Sequence, residues 1–213
     1  MQKSNLLSLD SAIEKIRSNF EIVSSEDVFL QNALGRCLSK PVISKINNPR
    51  FNVSSMDGYA VNYNDYINLK NNSTNKEFIQ FKVVGEASAG KPFSKEIKSS
   101  ETVRIFTGAK LPKGSDTVII QEDVKKSDIK NYISTNINLK KYQNIRKKGL
   151  DFKKDECLYD AGTILKSRHL GSIAMTGQAW VNVSRKPIIS ILSTGNEISK
   201  VGEQLKKDQI PSG

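Results

Sequence analysis

Asp57 stands directly before Gly58 in FNVSSMDGYAVN, residues 51–62, a polar, turn-prone stretch set between an aromatic and a short apolar run. Such a carboxylate has two readings. Asp-Gly is a strong hairpin-turn dipeptide, so local chemistry makes Asp57 a turn former; the alternative is a working carboxylate on a surface loop. Further stretches pair small, flexible residues with a hydroxyl or carboxylate: GEASAG at 85–90, RIFTGAKLPKGSDTVIIQED at 104–123 and STGNE at 193–197. Small residues let a backbone approach a ligand closely, and consecutive N–H groups in a Gly/Ser/Thr turn cradle an anion. Thr107 of FTGA could also simply close a turn, and Glu197 could be the first-turn acid of a helix. GEASAG has neither the glycine spacing of a dinucleotide fingerprint nor the lysine of a Walker loop. A Ser-His-Asp hydrolase is poorly supported: there is no GxSxG elbow, STGNE lacks its flanking glycine, and the single histidine, His169 in KSRHLGS, reads as a helix-surface or packing residue.

The chain that must position these residues has 213 residues, 37% of them hydrophobic, enough to bury a core as one large domain or two small ones. Its 33 Lys+Arg against 22 Asp+Glu give a formal charge of +11, which fits a polyanion, a phosphorylated ligand or an oxyanion without choosing among them. The cations are mostly lysines scattered through an Asn/Ile/Ser-rich chain, not arginines interleaved with aromatics, so nucleic acid is not the expected partner. Cys37 and Cys157 lie far apart with no CxxC, and with one histidine they cannot form a Cys/His metal site; reduced thiols in a cytoplasmic protein are expected. No apolar run approaches the ~18 residues of a membrane span.

Leu9, Ile13, Ile16 and Phe20 follow helical spacing, with Ser8 or Asp10 available as N-cap, predicting an amphipathic helix that ends before SSED at 24–27. Gly35, Pro41 and the turn-forming INNPRF punctuate the next segment, and the first boundary falls there. From 49 to 140 short β-like runs dominate, YAVNY, IQFKVV, TVRIF, DTVII and NYISTNINL, separated by Gly, Pro, Asn and Asp clusters. Beyond 141 a charged loop, a turn at Asp160–Gly162 and a helix from about Ser167 to Thr176 resemble the N-terminal segment in mixed character. The expected organisation is a discontinuous α+β domain (1–48 plus 141–184), an inserted β-rich domain (49–140), and the start of a further α/β domain (185–213). Ile188 to Leu192 reads as a strand apolar on both faces, of the kind a parallel sheet buries, yet only about 20 residues come after it. The fold class expected is mixed α/β and multidomain, with the third domain cut off after its first strand.

Taken in order, MDGYAV, GEASAG, RIFTGAKLPKGSDTVIIQED, IRKKGLDFKKDECLYDAGTIL and ILSTGNEI with VGEQLKKDQI closely resemble the molybdopterin molybdenumtransferase family, the bacterial MoeA proteins related to the E domain of gephyrin. The resemblance runs from SLDSAIEKI to the end. It implies the last step of molybdenum cofactor synthesis, in which molybdate enters the dithiolene of adenylylated molybdopterin and AMP is released with the help of a divalent cation, usually Mg²⁺. It also implies an elongated homodimer with its active site between the second domain of one subunit and the third of the other. The further partners it implies are the adenylyltransferase that makes the substrate and the molybdoenzymes that accept the product.

Carried over by position, the resemblance marks Asp57, Thr107 and Glu197 as catalytic, and Ser193, Thr194 and Gly195 as contacts to the pterin substrate. The roles expected are a hydrogen bond from Thr107 to an oxyanion, and Asp57 and Glu197 holding Mg²⁺ or placing water and phosphate during loss of AMP. Asn196 stands where the family commonly has an acid in TGDE, and Leu150 where it has the acid of GED. The family's molybdate-binding residues lie further along than Gly213. Turnover is therefore expected from the full-length protein and not from these residues alone, with a dimerisation or scaffolding module as the alternative.

Overall fold

In the computed structural model, residues 7–72, 78–127 and 129–212 are described. In chain order the elements are α1 (Leu9–Ser18), β1 (Ser25–Phe29), β2 (Val42–Ile43), β3 (Val53–Ser54), β4 (Gly58–Val61), α2 (Tyr63–Asn72), β5 (Ile79–Ala87), β6 (Glu101–Ile105) and β7 (Thr117–Ile120). After these come β8 (Lys125–Lys126), β9 (Tyr132–Thr135), β10 (Ile145–Arg146), β11 (Cys157–Tyr159), α3 (Ser167–Met175), β12 (Trp180–Ser184), β13 (Ile198–Ser199) and β14 (Ile210–Pro211).

The β-like runs read from alternation become one six-stranded sheet in the order β7-β4-β6-β5-β9-β8. Every pairing in it is antiparallel except β5 with β6, which run parallel. Apolar side chains cover both faces, so the central strands carry near-continuous apolar runs. Ala60, Ala87, Val103, Ile105, Ala109, Leu111 and Val118 fill one side. Val61, Tyr66, Ile79, Phe81, Ile119 and Ile133 fill the other. Thr102 is fully buried within this sheet, and its hydroxyl is satisfied by donating to the Ala60 carbonyl at 2.8 Å.

Helix α2 supplies Tyr66 to that second face and is not among the expected elements, since YAVNY reads as a strand and YNDYINLKNN is poor in strong helix formers. Its start is set by hydrogen bonds instead. Asn62 Oδ1 accepts from the Asp65 N–H at 3.1 Å and Asp116 Oδ1 from the Tyr63 N–H at 2.8 Å, satisfying donors that a first turn leaves unpaired.

A separate core joins segments distant in sequence. Strand β1 pairs antiparallel with β12, and β2 with β11. Leu30, Ala33, Leu38, Val42, Leu165, Ile173, Val181 and Val183 pack beneath them, with α3 contributing Ile173. His169 is buried in the first turn of α3, its ring centroid 4.6 Å from that of Tyr159. Its Nδ1 accepts the Lys166 backbone N–H at 3.2 Å, so it packs and caps. The thiols of Cys37 and Cys157 are free.

Two expectations meet a different outcome. Helix α1 forms where the spacing predicts and is capped by Ser8 Oγ, which accepts from the Ser11 N–H at 3.2 Å, yet none of its residues is buried. Its apolar stripe, including Leu9 and Ile16, faces outward. The strand expected at Ile188–Leu192 does not form: no described residue pairs with it, and Ile188 is 98% exposed. A strand apolar on both faces requires neighbours on either edge and layers above and below, and no described segment provides them. What forms beyond it is a two-residue parallel pair, β13 with β14. Among the described residues no helix is long and apolar enough to cross a membrane.

Candidate functional site

The SSMDGY, GEASAG and FTGA segments come together at one end of the six-stranded sheet, because their strands are neighbours. Strand β4 begins at Gly58, which pairs with Ile105, the last residue of β6; Ile105 in turn faces Ala87, the last residue of β5. Asp57 immediately precedes Gly58, Ser88 follows Ala87, and Phe106 and then Thr107 follow Ile105.

FTGA closes a tight turn in which the Ala109 N–H donates to the Phe106 carbonyl at 3.0 Å, with Gly108 at φ 79°. A positive φ at the third residue of such a turn is glycine's role. The turn is bound to β3 on its far side, Gly108 N–H to Ser54 O at 2.9 Å and Ser54 N–H to Ala109 O at 3.0 Å. GEASAG ends β5 and turns through Ala89 and Gly90, with reciprocal Ser88–Lys91 backbone bonds at 3.0 and 2.9 Å. The Phe106 N–H donates to Ala87 O at 3.1 Å, fastening the two turns side by side.

Asp57 reaches across to this turn. Its Oδ1 accepts the backbone N–H of Thr107 at 2.8 Å and the Thr107 hydroxyl at 2.8 Å. These bonds, the backbone one first, hold the carboxyl below the usual carboxylate range; desolvation opposes them, and the Arg104 guanidinium adds to them. Asp57 is half-buried and ionised near neutral pH, and its Oδ2 has no hydrogen-bond partner among the described residues.

Gly58 succeeds Asp57 for a reason that turn chemistry does not supply. A Cβ at position 58 would lie 1.9 Å from the Ile119 carbonyl oxygen, so only glycine lets β4 start this close to β7. The Asp-Gly pair thus combines a hydrogen-bonded acid with a close backbone contact.

Arg104 and Gln121 brace the same loop and are not among the residues the sequence marks out, although both lie inside the 104–123 stretch. Register places Arg104 opposite Tyr59, and its guanidinium lies 5.0 Å from the ring centroids of both Tyr59 and Phe106. Its Nη1 donates to Gly58 O at 3.4 Å and its Nη2 to Gln121 Oε1, while the Gln121 N–H donates to Asp57 O at 3.1 Å. The available signal is a lone arginine in the otherwise apolar alternation TVRIF.

Nearby, the Ser55 N–H donates to Asn144 O at 3.0 Å, which brings in the strand carrying Arg146. Arg146 Nη2 lies 2.6 and 2.7 Å from the Asp151 carboxylate oxygens, and Asn48 Nδ2 donates to the same group at 3.1 Å. Leu150 is exposed, and the neighbouring Asp151 carries the ion pair.

The fourth segment stays apart. Ser193, Thr194, Gly195 and Glu197 are all exposed. Glu197 O accepts from the Ile210 N–H at 2.7 Å and Ser193 Oγ from Ser212 Oγ at 3.2 Å. Among the described residues no hydrogen bond joins this loop to Asp57 or Thr107. Nor does any group of three or more His, Cys, Asp and Glu side chains converge as a metal cage among them. A cation held mainly by water and substrate phosphates needs only one or two protein carboxylates, so the free Oδ2 of Asp57 fits Mg²⁺ in that manner alone.

A hydroxyl has one proton, and that of Thr107 is directed at Asp57 Oδ1, so in this geometry Thr107 orients the carboxylate.

Residues 7–177 match the sequence model of the MoeA N-terminal region (domain I and II). A molybdopterin molybdenumtransferase of Haemophilus influenzae is 35% identical over 206 residues, covering 96% of this chain and 48% of the relative. One from Staphylococcus epidermidis is 28% identical over 210 residues, 99% of this chain and 49% of its own. The crystal structure of a molybdopterin biosynthesis MoeA protein from Pyrococcus horikosii superposes with a TM-score of 0.83 at 31% identity, covering 97% of this chain and 51% of that one. The chain therefore spans about half the length of the relatives it matches, and its fold is the mixed α/β one of the matched part of the Pyrococcus structure. With four-fifths of its length inside the matched region, the chain belongs to the MoeA N-terminal family.

Proposed function

We propose that the chain serves molybdenum cofactor synthesis as the part of a cytoplasmic molybdopterin molybdenumtransferase that presents Asp57, clamped by Thr107, to the substrate. In this reading a protein of the relatives' full length inserts molybdate into adenylylated molybdopterin and releases AMP, working as a homodimer that receives its substrate from the adenylyltransferase and passes its product to molybdoenzymes. It has three domains, 1–48 with 141–184, 49–140, and 185 onward, with Ser193, Thr194, Gly195 and Glu197 of the third facing a second subunit. The observation that carries the reading is the Asp57 carboxylate, ionised, with Oδ1 fixed by two Thr107 bonds and Oδ2 left for a ligand.

Mg²⁺, held by Asp57 Oδ2 of one subunit together with Glu197 of the second, would supply charge neutralisation at the phosphate. The protein's own contribution is orientation: the FTGA turn fixes the carboxylate, and Arg104 with Gln121 fixes the Gly58 and Asp57 carbonyls. A carboxylate so placed would repel a phosphate in the absence of a cation, so the AMP-releasing step should depend on divalent metal.

The test feeds adenylylated molybdopterin, molybdate and Mg²⁺ to a full-length protein carrying these residues. Asp57→Ala should reduce AMP release by about a hundredfold, the scale on which a well-placed polar group in an active site acts. AMP release at the parent rate would remove Asp57 from the chemistry. The alternative, a non-catalytic dimerisation or scaffolding module, predicts that rate to be negligible before any substitution.

A further inference from the structure

One charged groove beside the Asp57 loop has no assigned ligand. About 560 Å³ in volume, it is lined by Tyr59, Val83, Arg104, Gln121, Val124 and Lys126. Its charged walls are both cationic, and no carboxylate is among its lining residues. Arg104 enters it from β6, opposite Tyr59 on β4 and Glu86 on β5, yet no ion pair between Arg104 and Glu86 forms among the described residues. Lys126 enters from β8 on the far side of the sheet order.

The guanidinium is incompletely used. It has five N–H donors, of which the described residues take up two, one of them at the long distance of 3.4 Å to Gly58 O. The rings of Tyr59 and Phe106, each 5.0 Å away, hold it in place and displace water from its faces. A half-buried cation with spare donors, fixed in orientation and sharing the groove with a second cation, is matched by a compact dianion that accepts several hydrogen bonds at once. One N–H of the Gln121 side-chain amide goes to Glu122 Oε1 at 3.2 Å, and Gln121 is uncharged, so the positive charge of the groove comes from Arg104 and Lys126.

We infer that this groove binds a tetrahedral oxyanion, specifically the phosphate of a phosphate monoester, through Arg104 and Lys126. The inference deepens the proposed function by placing a phosphate next to Asp57, and rests on that reading only for where the phosphate comes from. Inorganic phosphate, AMP and molybdate share the required shape and charge, and the test separates them.

The test uses the 213-residue chain without turnover. Inorganic phosphate, AMP and molybdate are titrated separately, each with Mg²⁺ present, while the Arg104 Nε–H and Tyr59 backbone resonances are followed by NMR. Phosphate and AMP should shift both signals saturably, and Lys126→Ala should weaken binding about fivefold, the effect of removing one partly exposed charge. Lys147→Ala, which removes an equal charge from a different surface, should change nothing. Arg104→Lys keeps the charge but loses the fork, and should weaken binding more than Lys126→Ala does, provided its resonance pattern shows the sheet intact. Absence of a shift, shifts spread evenly over the basic surface, or equal weakening by Lys147→Ala would overturn the inference; a response to molybdate alone would overturn the phosphate assignment. Phosphate binding alongside Asp57→Ala enzyme of unchanged activity would retain the groove and reject the catalytic reading.

Discussion

Thr107 donates to Asp57 twice, once from the chain and once from the side chain, and the two donors can be separated by substitution. Thr107→Val removes the hydroxyl bond and leaves the N–H, so the Asp57 carboxyl should titrate at higher pH than in the parent but still below the ordinary value near 3.9. Thr107→Ser should restore the parent titration. The sign for stability comes from the same shift. A carboxyl whose folded-state pKa is depressed stabilises the fold above its unfolded pKa, and that contribution is lost as pH falls through the folded one. The difference between parent and Thr107→Val should therefore be full at pH 6 and shrink in acid below about pH 4. Carbon-detected NMR of the Asp57 carboxyl and urea midpoints across that range measure both; a Thr107→Val titration identical to the parent would show that the hydroxyl bond does not form in solution.

Among the elements, β4 is the one most constrained by a neighbour, since its first residue lies against the Ile119 backbone. Gly58→Ala would place a methyl 1.9 Å from a carbonyl oxygen, and the strands must part to admit it. The expected loss is about 3 kcal/mol or more, in the overpacking range, read from urea unfolding with the six-stranded sheet as the cooperative unit. Gly171 in α3 is the contrast: a Cβ there meets nothing within 4 Å, so Gly171→Ala should stabilise by about 0.5–1 kcal/mol through helix propensity. This difference between two glycines also marks the limit of what the sequence conveys. The long runs IQFKVV, TVRIF and DTVII announce strands through apolar and β-branched content, and Leu9 to Phe20 announces a helix by its spacing. Helix α2 is hidden because its start depends on Asp116, fifty-odd residues away, and not on propensity. Strands β3 and β10, two residues each, are too short to leave any pattern. Asp57 and Thr107 are legible as residues, but the bond between them depends on which strands are neighbours, and Arg104 looks like one cation among many.

The whole chain divides into a part that buries surface and a part that does not. Every residue of the apolar clusters lies between Val28 and Val183. Beyond Arg185 the only buried residue among those described is Ser199, while Ile188, Ile189, Ile191 and Leu192 are all at least 77% exposed. Burial of apolar surface is the dominant stabilising contribution, so residues 186–212 contribute little to the free energy of this fold. Four exposed aliphatic residues in a five-residue, β-prone run also form the kind of segment that pairs between molecules. Both properties make the same prediction for a chain shortened to residues 1–185. Its thermal midpoint should lie within about 2 °C of the 213-residue chain, and the Asp57 titration should be unchanged, because the carboxylate and its Thr107, Arg104 and Gln121 partners are all retained. Its solubility at high concentration should rise, measured by light scattering through a concentration series. A midpoint lower by 10 °C or so would mean that the apolar run packs against the sheet in solution, and the two parts would then have to be treated as one cooperative unit.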